Sequence, residues 1–279
     1  MTKVNVYEMV TNRIIEELEK GVIPWRRPWH GTLDGAYSRS TKKPYSLLNQ
    51  MLLGMPGEWL TFNQIKQLGG SVKKGAKSKI VVFWSPIKVK ETDKDGNENE
   101  KIIPYLKYYN VFHISQTTGI EPLSIEEERE ILKPIEKAES VINAYVEKSG
   151  ISFNAVKSNE AYYSPTNDKV VVPELAQYDD ESEYYSTAFH ELTHSTGHSS
   201  RLNRVMGTVA FGSEDYSKEE LVAEIGAAAL CHTCGIETKQ AFENSAAYIQ
   251  SWLKALHNDK RLIVSASGQA QKAVDMILN

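Results

Sequence analysis

The sequence predicts an α+β protein of two domains, and three observations carry that prediction. Helical and strand-like periodicities are segregated, with helices and a hairpin pattern first and mostly helices afterwards. The 279 residues suit two domains at roughly 100–200 residues each. The charge also reverses along the chain. Met1 to Ser115 holds 18 Lys and Arg against 11 Asp and Glu, net +7, whereas the remainder holds 14 against 25, net −11. The domains are accordingly drawn at 1–115 and 129–279. The stretch 116–128, with Thr117-Thr118-Gly119, Glu121-Pro122 and an acidic cluster, is read as the linker.

The elements follow in order. Val6, Met9, Val10, Ile14 and Leu18 recur at helical spacing over Val4 to Lys20, and Gly21 stands where a C-cap would stop the helix. Ile23 to His30 contains Pro24 and Pro28 and cannot be regular helix. A second helix is read over Tyr45 to Leu53. A third is read from Trp59 to Leu68, with Thr61 as its N-cap and Gly69-Gly70 as its breaker. Lys79 to Trp84 is β-branched and aromatic, which predicts a strand. The charged run Glu91 to Lys101, centred on Asp95-Gly96, reads as a hairpin loop leading to a strand over Lys107 to Ile114.

Past the linker, Arg129 to Ser149 is helical. Phe153 to Pro173 predicts an antiparallel pair turning near Pro165 to Asp168. Helices over Glu181 to Thr196, Lys218 to Thr233, Ala241 to Asn258 and Ser267 to Leu278 complete the chain. No repeat or low-complexity tract interrupts this order.

Composition excludes several classes. With 41% hydrophobic and 24% charged residues, the chain can bury a core and is not a disordered polymer. No apolar run approaches the roughly 18–20 residues that span a membrane, and the polar N-terminus lacks a secretory signal pattern. Two cysteines imply no disulfide framework. A soluble, cytoplasmic protein without a membrane partner is expected.

His190-Glu191-Leu192-Thr193-His194 is the most specific motif. Histidines four apart share one helix face, a turn from each other, which suits two ligands of one zinc ion. Glu191 is then placed as general base toward an attacking water. A third ligand is needed, and Glu220-Leu221-Val222-Ala223-Glu224 supplies two acids on one face of a later helix. This run resembles the third-ligand helix of gluzincin peptidases. The likeness implies that Glu220 binds metal and that Glu224 hydrogen-bonds a ligand histidine; the reversed assignment stays open. Zn²⁺ is the expected ion, although such a donor set also takes Mn²⁺. Tyr162 to Pro173 precedes the motif helix and can offer an edge strand to a peptide, or serve simply as an ordinary strand.

Two other features carry less. His198 follows Gly197, but Ser200 occupies the position where a metzincin-type third histidine belongs, so His198 is read as a loop histidine or substrate contact. Cys231 and Cys234 form a lone CxxC and are read as buried free thiols, not as a metal knuckle.

The basic half interleaves cations with aromatics. Trp25, Arg26, Arg27 and Trp29 lie in a proline-bounded loop. Lys42 and Lys43 precede Tyr45, and Lys73, Lys74 and Lys77 surround Gly75. Single-stranded nucleic acid is bound by such surfaces, with cations tracking phosphates and rings stacking bases. The competing reading is that the rings fill a core. It is expected for Trp59, Phe62 and Phe83, and both readings stay open for Trp25 and Trp29.

Together these motifs resemble the ArdC family of plasmid antirestriction proteins. The N-terminal likeness rests on Pro24 to Trp29, Pro44-Tyr45 with Asn49, Trp59-Leu60-Thr61-Phe62, Gly69-Gly70, Val72-Lys73-Lys74-Gly75 and Tyr108 to Phe112. The same module resembles the N-terminal part of certain plasmid-transferred primases. The C-terminal likeness rests on His190 to His194, Gly197-His198, Arg201-Leu202 and Glu219 to Glu224. The resemblance implies a single-stranded-DNA-binding N-terminal domain, a zincin-like C-terminal domain, and protection of incoming mobile DNA from restriction. One departure is Ser46-Leu47-Leu48-Asn49 after Tyr45, where the family pattern leads one to expect a glycine-containing turn. The alternatives are a plain zinc metalloprotease whose N-terminal half recognises protein, and a zincin-like domain that binds metal without cleaving a peptide.

Overall fold

The computed structural model describes residues 5–26, 35–92, 98–123, 134–178, 180–204, 214–236 and 242–279. Helix α1 (Val6–Glu19) starts at Asn5, whose side chain accepts from the Glu8 amide. It ends as expected at Gly21, where φ is +75°. There the Gly21 amide donates to Leu18 O at 2.9 Å and the Val22 amide to Glu17 O at 3.0 Å. Such a closure needs a left-handed residue, which glycine supplies without Cβ strain.

The N-terminal half continues with β1 (Ala36–Ser38), α2 (Leu47–Leu53), β2 (Gly57–Thr61), α3 (Phe62–Gln67), β3 (Ser71–Val72), β4 (Lys79–Thr92), β5 (Glu98–His113) and β6 (Thr117–Thr118). Four of the strands form one sheet in the order β1-β2-β5-β4, parallel only between β1 and β2. β3 and β6 pair separately.

Two expectations change here. Trp59 to Thr61 are strand, not the head of a helix, because they pair with Val111 to His113 of β5. The helix begins after Thr61, which is the N-cap as expected: its hydroxyl accepts from the Gln64 amide while the Gln64 side chain accepts from the Thr61 amide. Both flanks of the charged stretch expected as a loop lie within strands, since β4 and β5 stay paired out to Thr92 and Glu98, and its centre at 93–97 lies outside the described residues. β2 pairs only with the end of β5, so the rest of the hairpin continues as a two-stranded ribbon. Backbone ladders hold such a ribbon, and they require no apolar alternation in the sequence. α2 bears out the second helix read over Tyr45 to Leu53, and it follows Tyr45 where the family pattern leads one to expect a glycine-containing turn. Its buried Asn49 holds the edge of β4, with Oδ1 accepting from Val82 N at 2.7 Å and Nδ2 donating to Val82 O at 2.9 Å.

The C-terminal half comprises α4 (Pro134–Ser149), β7 (Ser152–Val156), β8 (Tyr162–Ser164), β9 (Lys169–Pro173), α5 (Glu181–Ser195), α6 (Glu214–Cys234), α7 (Phe242–Asn258) and α8 (Leu262–Leu278). β8 and β9 form the expected antiparallel pair. β7 adds to β9 in parallel, which the sequence did not predict. β9 is therefore the central strand, and Val170, Val171 and Val172 are all buried because both of its faces are covered.

The two halves share one core. Val10, Ile14, Leu18, Trp25, Ile80 and Leu106 cluster with Leu221, Ile225, Trp252, Leu256, Ile263 and Ala270. Polar bonds cross the same seam: Thr11 Oγ1 donates to Lys260 O at 2.7 Å and the Leu47 amide to Gln271 Oε1 at 3.1 Å. The start of the inter-domain stretch is tied down as well. Buried Glu58 accepts from the Leu123 amide at 2.6 Å and from Arg39 at 2.5 Å. Among the described residues no helix is long and apolar enough to cross a membrane.

Candidate metal centre

Asp180 caps α5, its carboxylate accepting from the Ser182 amide at 2.8 Å. The helix then carries His190, Glu191 and His194 to its crossing with α6. The crossing is close because α6 presents Gly226 there. A Cβ on Gly226 would lie 2.6 Å from Thr193 Cγ2, and Thr193 is fully buried on α5. This contact brings the acidic turn of α6 within reach of both imidazoles.

The Glu220 carboxylate spans the two histidines. Its Oε2 lies 3.4 Å from His190 Nε2 and its Oε1 3.5 Å from His194 Nε2. The two Nε2 atoms are 3.1 Å apart. Donors each about 2.1 Å from one ion at a tetrahedral angle are about 3.4 Å from one another, so this set fits a single divalent cation. These three are also the residues whose ligand atoms all lie within 4.8 Å of one another. Glu224 sits elsewhere, with Oε1 3.9 Å from His190 Nδ1. The geometry therefore puts Glu220 on the Nε2 side of the histidines and Glu224 behind His190.

His194 has a backing carboxylate that the sequence reading did not single out. Glu219 Oε1 is 3.3 Å from His194 Nδ1. Arg204 in turn clamps Glu219 with two bonds, Nη2 to Oε1 at 2.8 Å and Nε to Oε2 at 3.0 Å. The same guanidinium donates to Thr193 O and Thr196 Oγ1, both at 2.8 Å. The sequence signal for Glu219 was only its place beside Glu220. For Arg204 there was none, because the loop after α5 has no periodicity to place it.

The electrostatics suit a cation. Burial pushes the His194 imidazole down, but Glu219 and Glu220 outweigh it and raise the group to about 10. Burial likewise pushes Glu220 up, yet the two imidazoles hold it well below the ordinary carboxylate range. Glu219 is also held low: burial opposes this, while His194 and Arg204 prevail. Glu191 is buried, and its charge acts on His194.

The remaining expected residues divide. His198 is outside the cluster and accepts from the Ser200 amide at 3.2 Å. Burial pushes the Cys231 and Cys234 thiols up to about 12 and about 11, so both stay protonated and inert at neutral pH. Lys42, Lys43, Lys73, Lys74 and Lys77 are exposed and Tyr45 is half-buried. Trp25 departs from the stacking role: only 6% exposed, it packs edge-on against Trp252 at 5.1 Å, inside the shared core. Arg27, Trp29 and the Arg26 side chain lie outside the described residues. Trp59 is in the core as expected, whereas Phe62 and Phe83, expected there too, are 46% and 44% exposed.

Known proteins share this arrangement. Residues 4–112 match a family model described as the N-terminal domain of the anti-restriction factor ArdC. Residues 140–269 match one described as zincin-like metallopeptidase. The metal-free crystal structure of the antirestriction protein ArdC from plasmid R388 superposes with a TM-score of 0.77 at 34% identity, covering 98% of this chain and 97% of that one. The chain belongs to the ArdC antirestriction family. The Mn(II)-bound structure of the same ArdC gives a TM-score of 0.76 at 35% identity, with the same coverage. Protein y4eC of Sinorhizobium fredii is 30% identical over 98% of this chain and 92% of its own length. Two Escherichia coli DNA primases TraC are each 32% identical over 98% of this ArdC-family chain, which spans only 27% and 20% of their length.

Proposed function

We propose that this chain is an antirestriction protein that binds single-stranded DNA through its N-terminal half, carries a metal-dependent peptidase-type site in its C-terminal half, and protects incoming mobile-element DNA. The observation that carries the peptidase reading is the Glu220 carboxylate spanning the Nε2 atoms of His190 and His194. In this reading His190, His194 and Glu220 hold a divalent ion. Glu224 and Glu219 orient the histidines from their Nδ1 sides. Zn²⁺ and Mn²⁺ both suit two imidazoles and a carboxylate, and the related ArdC of plasmid R388 has an Mn(II)-bound form. A bound ion supplies Lewis acidity to a carbonyl oxygen and makes water easier to deprotonate.

The chain's own groups do the rest. Glu191 takes the proton from the water that attacks the peptide carbonyl carbon. It then delivers that proton to the amine nitrogen as the C–N bond breaks. β8 pairs only with β9 among the described strands, so its other edge can receive an extended peptide by strand addition.

The test pairs two assays on the full chain. Cleavage of candidate protein substrates should depend on metal and fall about 10²–10⁴-fold in Glu191→Gln. Unchanged cleavage in that variant, or cleavage that survives a chelator, contradicts the peptidase reading. Binding to a single-stranded oligonucleotide should weaken with salt. With roughly four phosphates engaged, the loss is about 50-fold between about 50 and 200 mM salt. No binding at low salt removes the DNA reading.

A further inference from the structure

The hairpin presents an uncovered face that the stretch around Trp25 was expected to supply. β4 and β5 pair Val81 with Tyr109 and Phe83 with Lys107. Alternation puts all four side chains on the same face of the sheet. At one end that face is covered, with Val81, Val111 and Trp59 buried in one cluster with Leu53 and Ala36 and with Tyr45 packed against them. Beyond Tyr45 it is open. Phe83 and Tyr109 are 44% and 49% exposed, and Lys107, opposite Phe83 on β5, is exposed. The ring centroids run from Tyr45 to Phe83 at 6.1 Å and from Phe83 to Tyr109 at 5.9 Å.

We infer that Tyr45, Phe83 and Tyr109, with Lys107 and the exposed Lys43, form the surface on which a single DNA strand stacks its bases. The inference rests on the single-stranded-DNA reading above and gives it a location. Three features select this occupant. The first is charge. On the open part of this face, the strand positions from Phe83 to Ile87 and from Ile103 to Tyr109 include one lysine, Lys107, and no acid, so a polyanion meets no like charge there. The second is spacing. Steps near 6 Å exceed the about 3.4 Å per nucleotide of a duplex strand, so each ring meets its own base on an extended chain. The third is inclination. Adjacent rings are tilted by 50° and 64°, which suits splayed bases and cannot accept the edge of an intact duplex. Stacking of this kind reads no sequence, because every base has a π-face.

The experiment measures fluorescence anisotropy of a labelled oligo-dT with the full-length protein. Phe83→Ala and Tyr109→Ala should each weaken binding about 5- to 150-fold, while Phe83→Tyr should stay close to wild type. Lys107→Gln should lower the salt dependence. Thermal melting checks the fold of each variant. A measurement on the wild type alone avoids that concern: an oligonucleotide carrying 5-iodouracil, irradiated in the complex, should crosslink to Phe83, Tyr109 or Tyr45. Suppose the wild type binds oligo-dT, the alanine variants bind it equally well and crosslinks map elsewhere. This surface is then wrong and the single-stranded-DNA reading survives. Preference for a duplex of the same length also overturns the surface. If the wild type binds no oligo-dT, both fail.

Discussion

The residue that distinguishes this site from a bare HExxH is Glu219, held by Arg204 against the Nδ1 of His194. A carboxylate in that position fixes the tautomer and the ring angle of a ligand histidine, and losing such a partner typically costs 10–100-fold in metal affinity. Glu219→Gln should therefore weaken metal binding by about that factor while the protein melts close to wild type; an unchanged affinity would assign Glu219 a purely structural role. Asp168 shows the complementary, structural use of a charge. It takes two bonds from Arg201, whose side chain is 8% exposed, and one from Tyr163. The Arg201 guanidinium holds its carboxyl below the usual range. A depressed carboxylate stabilises the fold fully above its unfolded pKa of about 3.9, and that contribution fades as pH falls through the lower folded value. Asp168→Asn should cost about 2 kcal/mol at neutral pH, and the difference from wild type should shrink in melts below about pH 4. His190, His194 and Glu191 were legible in the sequence because their spacing is itself the chemistry. Glu219 and Arg204 were not, because their pairing depends on how α6 and the loop after α5 meet in space and not on any interval along the chain.

At the scale of elements, the site exists because α5 and α6 touch at Thr193 and Gly226. Most elements could be read from periodicity, α1 and its Gly21 cap among them. The errors fell where tertiary pairing overrides local pattern. Trp59 to Thr61 became a strand because β5 lies alongside, and the flanks of the charged stretch, up to Thr92 and from Glu98, stayed extended because each strand satisfies the other's backbone. Gly226 had no legible role, since glycine in a helix announces nothing about what approaches it. Gly226→Ala should force the helices apart or distort Thr193, costing about 1–3 kcal/mol and weakening metal binding together with stability. Adding Thr193→Ala should recover part of both losses, as coupled neighbours do. Simple additivity of the two changes in denaturation and metal titration would show that this contact does not set the crossing.

At the scale of the molecule, the charge reversal divides the chain into a basic and an acidic half, but it did not reveal that they share one core. Val10 and Ile14 of α1 lie in the same cluster as Trp252 and Leu256 of α7, so the halves are not beads on a linker. Trp252→Ala should cost about 3–5 kcal/mol, and N-terminal and C-terminal probes should lose their signals in one transition. Separate transitions would mean that the seam contributes little. In the proposed reading the intact chain takes one divalent ion through His190, His194 and Glu220. Native mass spectrometry of the full-length protein titrated with Zn²⁺ or Mn²⁺ tests it most directly. Wild type should hold one ion per chain, Glu220→Ala should retain none, and Glu224→Ala should hold one more weakly. An ion held as tightly by Glu220→Ala as by wild type would contradict it.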